Sequence, residues 1–409
     1  MDMMGIIFSN IYDNNMGELT RERTSASIPF GGRYRLIDFM LSNYVNAGIS
    51  DVGVIVHESY QSLLDHLGSG KDWDLSRKHG GLRILPPFGY AQQPGREYQG
   101  NMDALDGVRD YLKNIRQDYV ILSWGDIALN LPVAEMFRQH IDTGADITLL
   151  CTPSLLGVPH QTEYVSLDDE GRVRDLTIHI PGSGDALESL EAYILSKDLL
   201  MELVEYCASH NVSSFSKGVL QPRLKSLVML PYVHKGYVGR FQSVDDYYHR
   251  SMDLLDPAVR ADLFNPQRPI RTKDQSNPST YYGPDARSTN SLVADGCFIE
   301  GTVENSVLSR GVVVEKGAHV SNCVLMQGTV VKAGAASSRI RALWSTRTAP
   351  LWGTRLTLWP SPRALWYKFA LSNSPVPVRG AVSKEKEAFP MKILFAASEV
   401  APFIKTGGL

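Results

Sequence analysis

Three stretches of this chain join backbone freedom to groups that can do chemistry. Pro29-Phe30-Gly31-Gly32-Arg33-Tyr34-Arg35 sets a proline and two glycines before an apolar stripe at Leu36, Phe39, Met40 and Tyr44, the pattern of a strand-to-helix turn. Ser123-Trp124-Gly125-Asp126 ends an apolar run in a carboxylate, which on its own reads as a turn residue capping the segment after it. Asp13-Asn14-Asn15-Met16-Gly17 is the third. Backbone N–H groups approach phosphate closely only where glycine removes the side chain. This stretch has one glycine and no arginine, and its asparagines would crowd a phosphate, so it reads as a polar surface turn. Cys151, Cys207, Cys297 and Cys323 lie far apart, with no C-x-x-C pair and no histidine cluster at metal spacing. They are read as reduced, buried thiols, and no metal centre is expected.

The elements that would position these groups are legible as alternating textures. Short apolar runs at Gly5-Ile6-Ile7-Phe8, Val52-Gly53-Val54-Ile55-Val56, Tyr119-Val120-Ile121-Leu122-Ser123 and Ile147-Thr148-Leu149-Leu150-Cys151 predict buried strands. Between the last two, Val133, Met136, Phe137, His140 and Ile141 recur at helical spacing after Asn130 and Pro132. Strands alternating with helices predict a layered α/β domain with a mostly parallel sheet over residues 1–263. Asp168-Asp169-Glu170-Gly171 predicts a hairpin turn, and Ser243 with Asp246 three residues on predicts a capped helix start.

Residues 264–291 are rich in Pro, Asn, Ser and Gln and read as a connector. Over 292–335, aliphatics return at hexapeptide intervals with glycine close behind, as in Val314…Gly317 and Val331…Gly334. That period predicts a β-helix of roughly two and a half coils, short for a structure that relies on stacked neighbours. From 336 to 384 there is no Asp or Glu, but six Arg and four of the six Trp in the chain: Trp344, Trp352, Trp359 and Trp366. No helical or strand period continues there, and 336–390 reads as an aberrant, low-acid segment.

Pro29 to Asn43 closely resembles the substrate-domain motif of bacterial ADP-glucose pyrophosphorylase (glucose-1-phosphate adenylyltransferase). Further anchors follow in order: Trp73-Asp74-Leu75, Gly80-Gly81-Leu82-Arg83-Ile84-Leu85-Pro86-Pro87, Tyr98-Gln99-Gly100-Asn101-Met102-Asp103-Ala104 and Phe215-Ser216-Lys217. The resemblance covers residues 4–335 and is nearest to the family's D-type regulatory subunits, through Gly5-Ile6-Ile7-Phe8-Ser9-Asn10-Ile11-Tyr12-Asp13 and Tyr60-Gln61-Ser62-Leu63-Leu64-Asp65-His66-Leu67-Gly68. It implies a nucleotidyltransferase-like (Rossmann-like) layered α/β domain, then a short, truncated left-handed β-helix and an irregular tail. Residues 391–409 resemble the first residues of bacterial glycogen synthase, including Lys405-Thr406-Gly407-Gly408-Leu409. A frameshift near residue 336, running into a following synthase gene, would produce both features.

Catalytic members carry a G-G-x-G-[ST]-R-L finger and a lysine before the opening motif. Here Ser9 to Gly17 occupies the finger and Ser25 stands at the lysine. By resemblance, Asp126 falls on the family's first metal carboxylate. The second, from a W-x-D-x-G-T motif, falls on Arg240, whose fixed positive charge would repel Mg²⁺. The lysine that clamps the sugar phosphate falls on His179, and a mostly neutral imidazole is a poor clamp. Gly31, Gly32, Gly100, Asp103 and Lys217 fall on motif positions and are the candidate substrate-binding residues.

These losses imply a non-catalytic or weakly catalytic regulatory subunit in glycogen biosynthesis. Its partner, the catalytic subunit in a heterotetramer, would convert ATP and glucose-1-phosphate to ADP-glucose and pyrophosphate. The ligand class is a sugar phosphate or nucleotide, and no cofactor is expected. Two alternatives stay open: an active nucleotidyltransferase using Asp126 with Mg²⁺, or a non-functional frameshifted product. With a formal charge of −3 and 43% hydrophobic residues, nothing favours nucleic acid as partner. No apolar run nears a membrane span, and the short apolar N-terminal run is no signal peptide, so a cytoplasmic location is expected.

Overall fold

The computed structural model describes residues 2–9, 16–86, 100–153, 163–178 and 186–338, with two further short strands, Leu343–Trp344 and Leu394–Phe395. The chain divides into two units. The first holds the residues up to Phe30, Tyr34–Arg250 and Asp256–Gln275; the second holds Gly31–Arg33, Ser251–Leu255 and the chain from Ser276 onward.

The first unit is built on a nine-stranded sheet. Its strands are β1 (Met3–Phe8), β2 (Asp51–Ile55), β3 (Gly81–Leu85), β4 (Tyr119–Trp124), and, after the short β5 (Ile127–Ala128) that lies outside it, β6 (Ile147–Pro153), β7 (Glu163–Leu167), β8 (Val173–Ile178), β9 (Leu187–Ser196) and β10 (Met229–Val233). The main path runs β8-β7-β9-β4-β1-β2-β3, with β6 joining β9 to β10. β1 has no polar side chain and is buried along its whole length, which suits a central strand covered on both faces. It pairs in parallel with β2 and β4.

The expected mostly parallel sheet is in fact mixed. β9 runs antiparallel to β4, β6 and β7, and the β7–β8 hairpin is antiparallel too. That hairpin turns where predicted, with the Asp168 side chain accepting from the Glu170 and Arg172 N–H groups. The helix expected after Pro132 spans Val133–Thr143 and ends at Gly144, whose φ of 62° closes it in the left-handed region. Val133, Met136 and His140 are buried, whereas Ile141 is 45% exposed, contrary to its expected place on the inner face. At about 100° per residue it falls on the edge of the stripe. His140 takes the inward place instead and meets Thr148 Oγ1 at 2.8 Å. Ser243 and Asp246 cap the helix Val244–Asp253: the Asp246 N–H donates to Ser243 Oγ, which in turn donates to the Asp246 carboxylate at 2.7 Å.

The second unit contains three stacks of short parallel strands, the arrangement of a β-helix. Tyr281–Tyr282, Phe298–Ile299, Val313–Val314 and Val330–Val331 form one stack, and the other two follow the same order. Ile299, Val303, Leu308, Val314, Val320, Leu325 and Val331 fill its interior. The first coil begins at Tyr281, inside the segment read as a connector, because that connector's Pro and Asn residues sit in coil corners as well as ahead of them. Pairing also runs past Ala335 through Ala336–Ser338 and Leu343–Trp344, so there are more coils than the hexapeptide count suggested. Asn290, Asn305 and Asn322 turn one corner of successive coils at φ of 42°, 45° and 54° and donate amide to amide along the stack. All four cysteines are free and buried, as expected. Among the described residues no helix is long and apolar enough to cross a membrane.

Candidate functional site

Asp126 stands just past the end of β4, half-buried. The chain then forms β5, which pairs antiparallel with β11 (Gly239–Arg240), setting Arg240 opposite Ile127. Two loops distant in sequence thereby bring Arg240 next to the Asp126 backbone position. The guanidinium is nearly buried and used as a fork. One nitrogen donates to Glu188 at 3.1 Å and to the Ser189 carbonyl at 2.8 Å; the other donates to Glu191 at 3.1 Å. Burial acts to lower the arginine's pKa, but Glu191, Glu188 and Asp126 outweigh it and hold the group above its ordinary value.

Glu191 reaches the guanidinium from a left-handed backbone at φ 53°, where β9 breaks register between Ser189 and Tyr193. A non-glycine residue held there is strained, and such strain persists only where surrounding contacts fix it. Behind it lies Glu163 at the start of β7, buried and accepting from Tyr193 Oη at 3.0 Å and from the Ser216 hydroxyl. Burial foremost, then the Glu191 charge, pushes the Glu163 carboxyl up to about 7, against the pull of its hydrogen bonds and of Arg240. The result is a buried polar cluster drawn from β7, β9, β11 and the turn Ser216–Leu220.

The other sequence-predicted residues are placed as follows. Ser25 is buried and donates its hydroxyl to the Ser9 carbonyl at 3.1 Å, so it serves the chain's own backbone. Gly31 and Gly32 have φ of 59° and 79°, and a Cβ on Gly32 would lie 3.2 Å from the Leu308 carbonyl oxygen. Gly100 is extended; a Cβ there would meet the Ser213 carbonyl oxygen at 2.3 Å. The Met102 N–H donates to that same carbonyl, and Asn101 Oδ1 accepts from the Phe215 N–H. Gly100 thus allows two segments to close on each other. Asp103 sits half-buried in the first turn of the helix Asn101–Gly107, and Lys217 is exposed, its N–H donating to Ser214 Oγ. His179 and the stretch Asp13 to Asn15 lie outside the described residues.

Glu163, Glu188, Glu191, Tyr193 and Ser216 went unnoticed in the sequence. A signal was present in Leu187-Glu188-Ser189-Leu190-Glu191-Ala192-Tyr193, where two acids interrupt an otherwise apolar strand and so call for a buried cation. Among the described residues no three His, Cys, Asp or Glu side chains stand where they could hold a metal ion.

Comparison with known proteins adds identity to this geometry. The nucleotidyl transferase family profile matches residues 14–227, and a GlmU-like C-terminal hexapeptide profile matches residues 280–341. The glycogen biosynthesis protein GlgD of Bacillus subtilis (strain 168) is 34% identical over 317 residues, spanning 77% of this chain and 81% of that protein. GlgD of Geobacillus stearothermophilus is 36% identical over 318 residues, with 78% and 82% covered. The glucose-1-phosphate adenylyltransferase of Geobacillus stearothermophilus is 32% identical over 316 residues, with 75% and 80% covered.

Proposed function

The chain belongs to the nucleotidyl transferase family that includes GlgD and glucose-1-phosphate adenylyltransferase, and we propose that it serves glycogen biosynthesis as a regulatory subunit without independent turnover. The observation that carries this reading is the seating of Arg240. Adenylyl transfer from ATP to glucose-1-phosphate needs Mg²⁺ held by carboxylates and cations offsetting the charge of the triphosphate. The residues present do not fit Mg²⁺ at Asp126, since the guanidinium that Asp126 helps to keep charged already supplies the positive charge there. Ser25, turned into its own backbone, offers no cation either. A nucleotidyltransferase fold kept around such a site suits a chain whose work lies in contacts with another subunit. The partner is the catalytic subunit of glucose-1-phosphate adenylyltransferase, in a heterotetramer. For the assembly to change that subunit's kinetics, this chain must contact two states of it unequally.

ADP-glucose formation from ATP, Mg²⁺ and glucose-1-phosphate, measured with this chain alone and titrated into the catalytic subunit, decides the matter. The expected result is silence alone and a saturable change in the partner's kinetics. Turnover by this chain alone, lost in Asp126→Asn, would establish the active reading. No effect in either arm would support a non-functional frameshifted product.

A further inference from the structure

The mixed cluster around Glu163 has a property that the loss of catalysis does not require. Glu163 on β7 lies in register with Ile178 and Ser189, so it has a strand on either side and is buried, at 6% exposure. From β9 it faces Tyr193, which donates to it, and the Glu191 charge; from the turn Ser216–Leu220 it faces the Ser216 hydroxyl. From β6 it faces the Cys151 thiol, and from β11 the Arg240 guanidinium. Arg240 is already shared between Glu188 and Glu191. An ionised Glu163 therefore sets a buried carboxylate against Glu191 while the nearby guanidinium is already committed elsewhere.

We infer that Glu163 is a proton-operated lock: its neutral form keeps the Arg240–Glu188–Glu191 cluster closed, and its ionised form loosens the β9–β11 contact. Two features make the lock able to yield. Glu191 is held in a strained backbone by this cluster, so weakening its bond to Arg240 releases strain as well as charge. β11 is two residues long and pairs in its sheet with β5, not β9, so the Arg240 hydrogen bonds to Glu188, Ser189 and Glu191, rather than strand pairing, link it to β9. The thiol of Cys151 and the phenol of Tyr193 are both pushed upward by burial and stay protonated near neutrality, which leaves Glu163 to titrate.

The sign follows from the shift. Glu163 is raised from 4.5 to about 7 in the fold, so its contribution to stability is full below pH 4.5 and is lost as pH rises through 7. Between pH 6 and pH 8 this group alone lowers the folding constant about tenfold.

The test is denaturant unfolding of the full chain at pH 6, 7 and 8, paired with hydrogen exchange at Gly239, Arg240 and Leu187–Ser189. Measured against Glu163→Gln, the wild type is expected to show the tenfold fall, since buried His140 and His234, held below their ordinary range, raise the stability of both proteins alike as pH rises. Exchange in those segments should rise above the intrinsic base-catalysed increase. Glu163→Gln should remove both effects, and Glu191→Gln should move the midpoint to lower pH. The infrared band of a protonated buried carboxyl in the wild type, titrating near pH 7 and shifted in Glu191→Gln, keeps the test decisive if Glu163→Gln does not fold. The same pH slope in Glu163→Gln, or no such band in the wild type at pH 6, overturns the inference. Neither readout depends on ADP-glucose, so failure here leaves the regulatory reading intact.

Discussion

At the scale of single residues, the site turns on one exchange of charge. An acid expected to hold a metal is an arginine, and the protein has built acids around it. Removing one member of a buried ion network strands the others, which costs more than the network itself contributes. Arg240→Gln leaves Glu188 and Glu191 without their guanidinium, so it is expected to destabilise the fold by about 3 kcal/mol. Arg240→Lys, which keeps the charge but loses the fork, should cost less. Urea unfolding of both variants, with Glu188→Gln/Glu191→Gln added to Arg240→Gln, checks the argument. If the triple variant is no more stable than Arg240→Gln alone, stranded carboxylates are not the cause. Arg240 itself was legible in the sequence because a motif position exposed it as a wrong residue type. Its partners were not, because Glu188 and Glu191 come together with it only through the register break in β9 and the pairing of β5 with β11.

At the scale of elements, the β-helix corners show how local conformation and stacking support each other. Asn305 holds φ 45° and sits in the middle of an amide ladder, accepting from Asn290 and donating to Asn322. Alanine in that position meets the left-handed backbone without a compensating side-chain bond, so Asn305→Ala should cost about 2 kcal/mol. Asn305→Gly relieves the backbone and loses only the ladder, so about 1 kcal/mol is expected. Hydrogen exchange at the Ser306 and Cys323 amides reads the local effect, and equal losses in the two variants would remove backbone strain from the account. Elements like these coils were readable because period six survives in any context. The capped helix at Ser243 and the Asp168 hairpin were readable because their signals are carried by side chains bonding their own backbone. Strand direction was not. An apolar strand looks alike whether parallel or antiparallel, and β9 takes its antiparallel place from pairing with strands far away in sequence. The connector failed for a related reason, since Asn and Pro mark coil corners as well as linkers.

At the scale of the whole molecule, the described cores and the stretch of sequence after residue 341 differ in composition. Both units close their own apolar cores, one around the sheet and one inside the coils. The match to hexapeptide proteins ends at residue 341. From there to residue 384 the chain carries arginines and tryptophans with no acid to pair or solubilise them. A composition rich in aromatics and cations with no acid favours association between molecules once salt screens the cations. Trp352→Ser/Trp359→Ser/Trp366→Ser in the full chain is therefore expected to lower light scattering at 0.5 M salt severalfold while leaving the urea midpoint unchanged. A fall in that midpoint would mean that these tryptophans complete a core, and the segment would then be a working part of the fold. An unchanged midpoint with reduced scattering would mark it as an addition to a molecule that folds without it. Sequencing the DNA across codons 330 to 391 would then distinguish a shifted reading frame from a segment inherited as it stands.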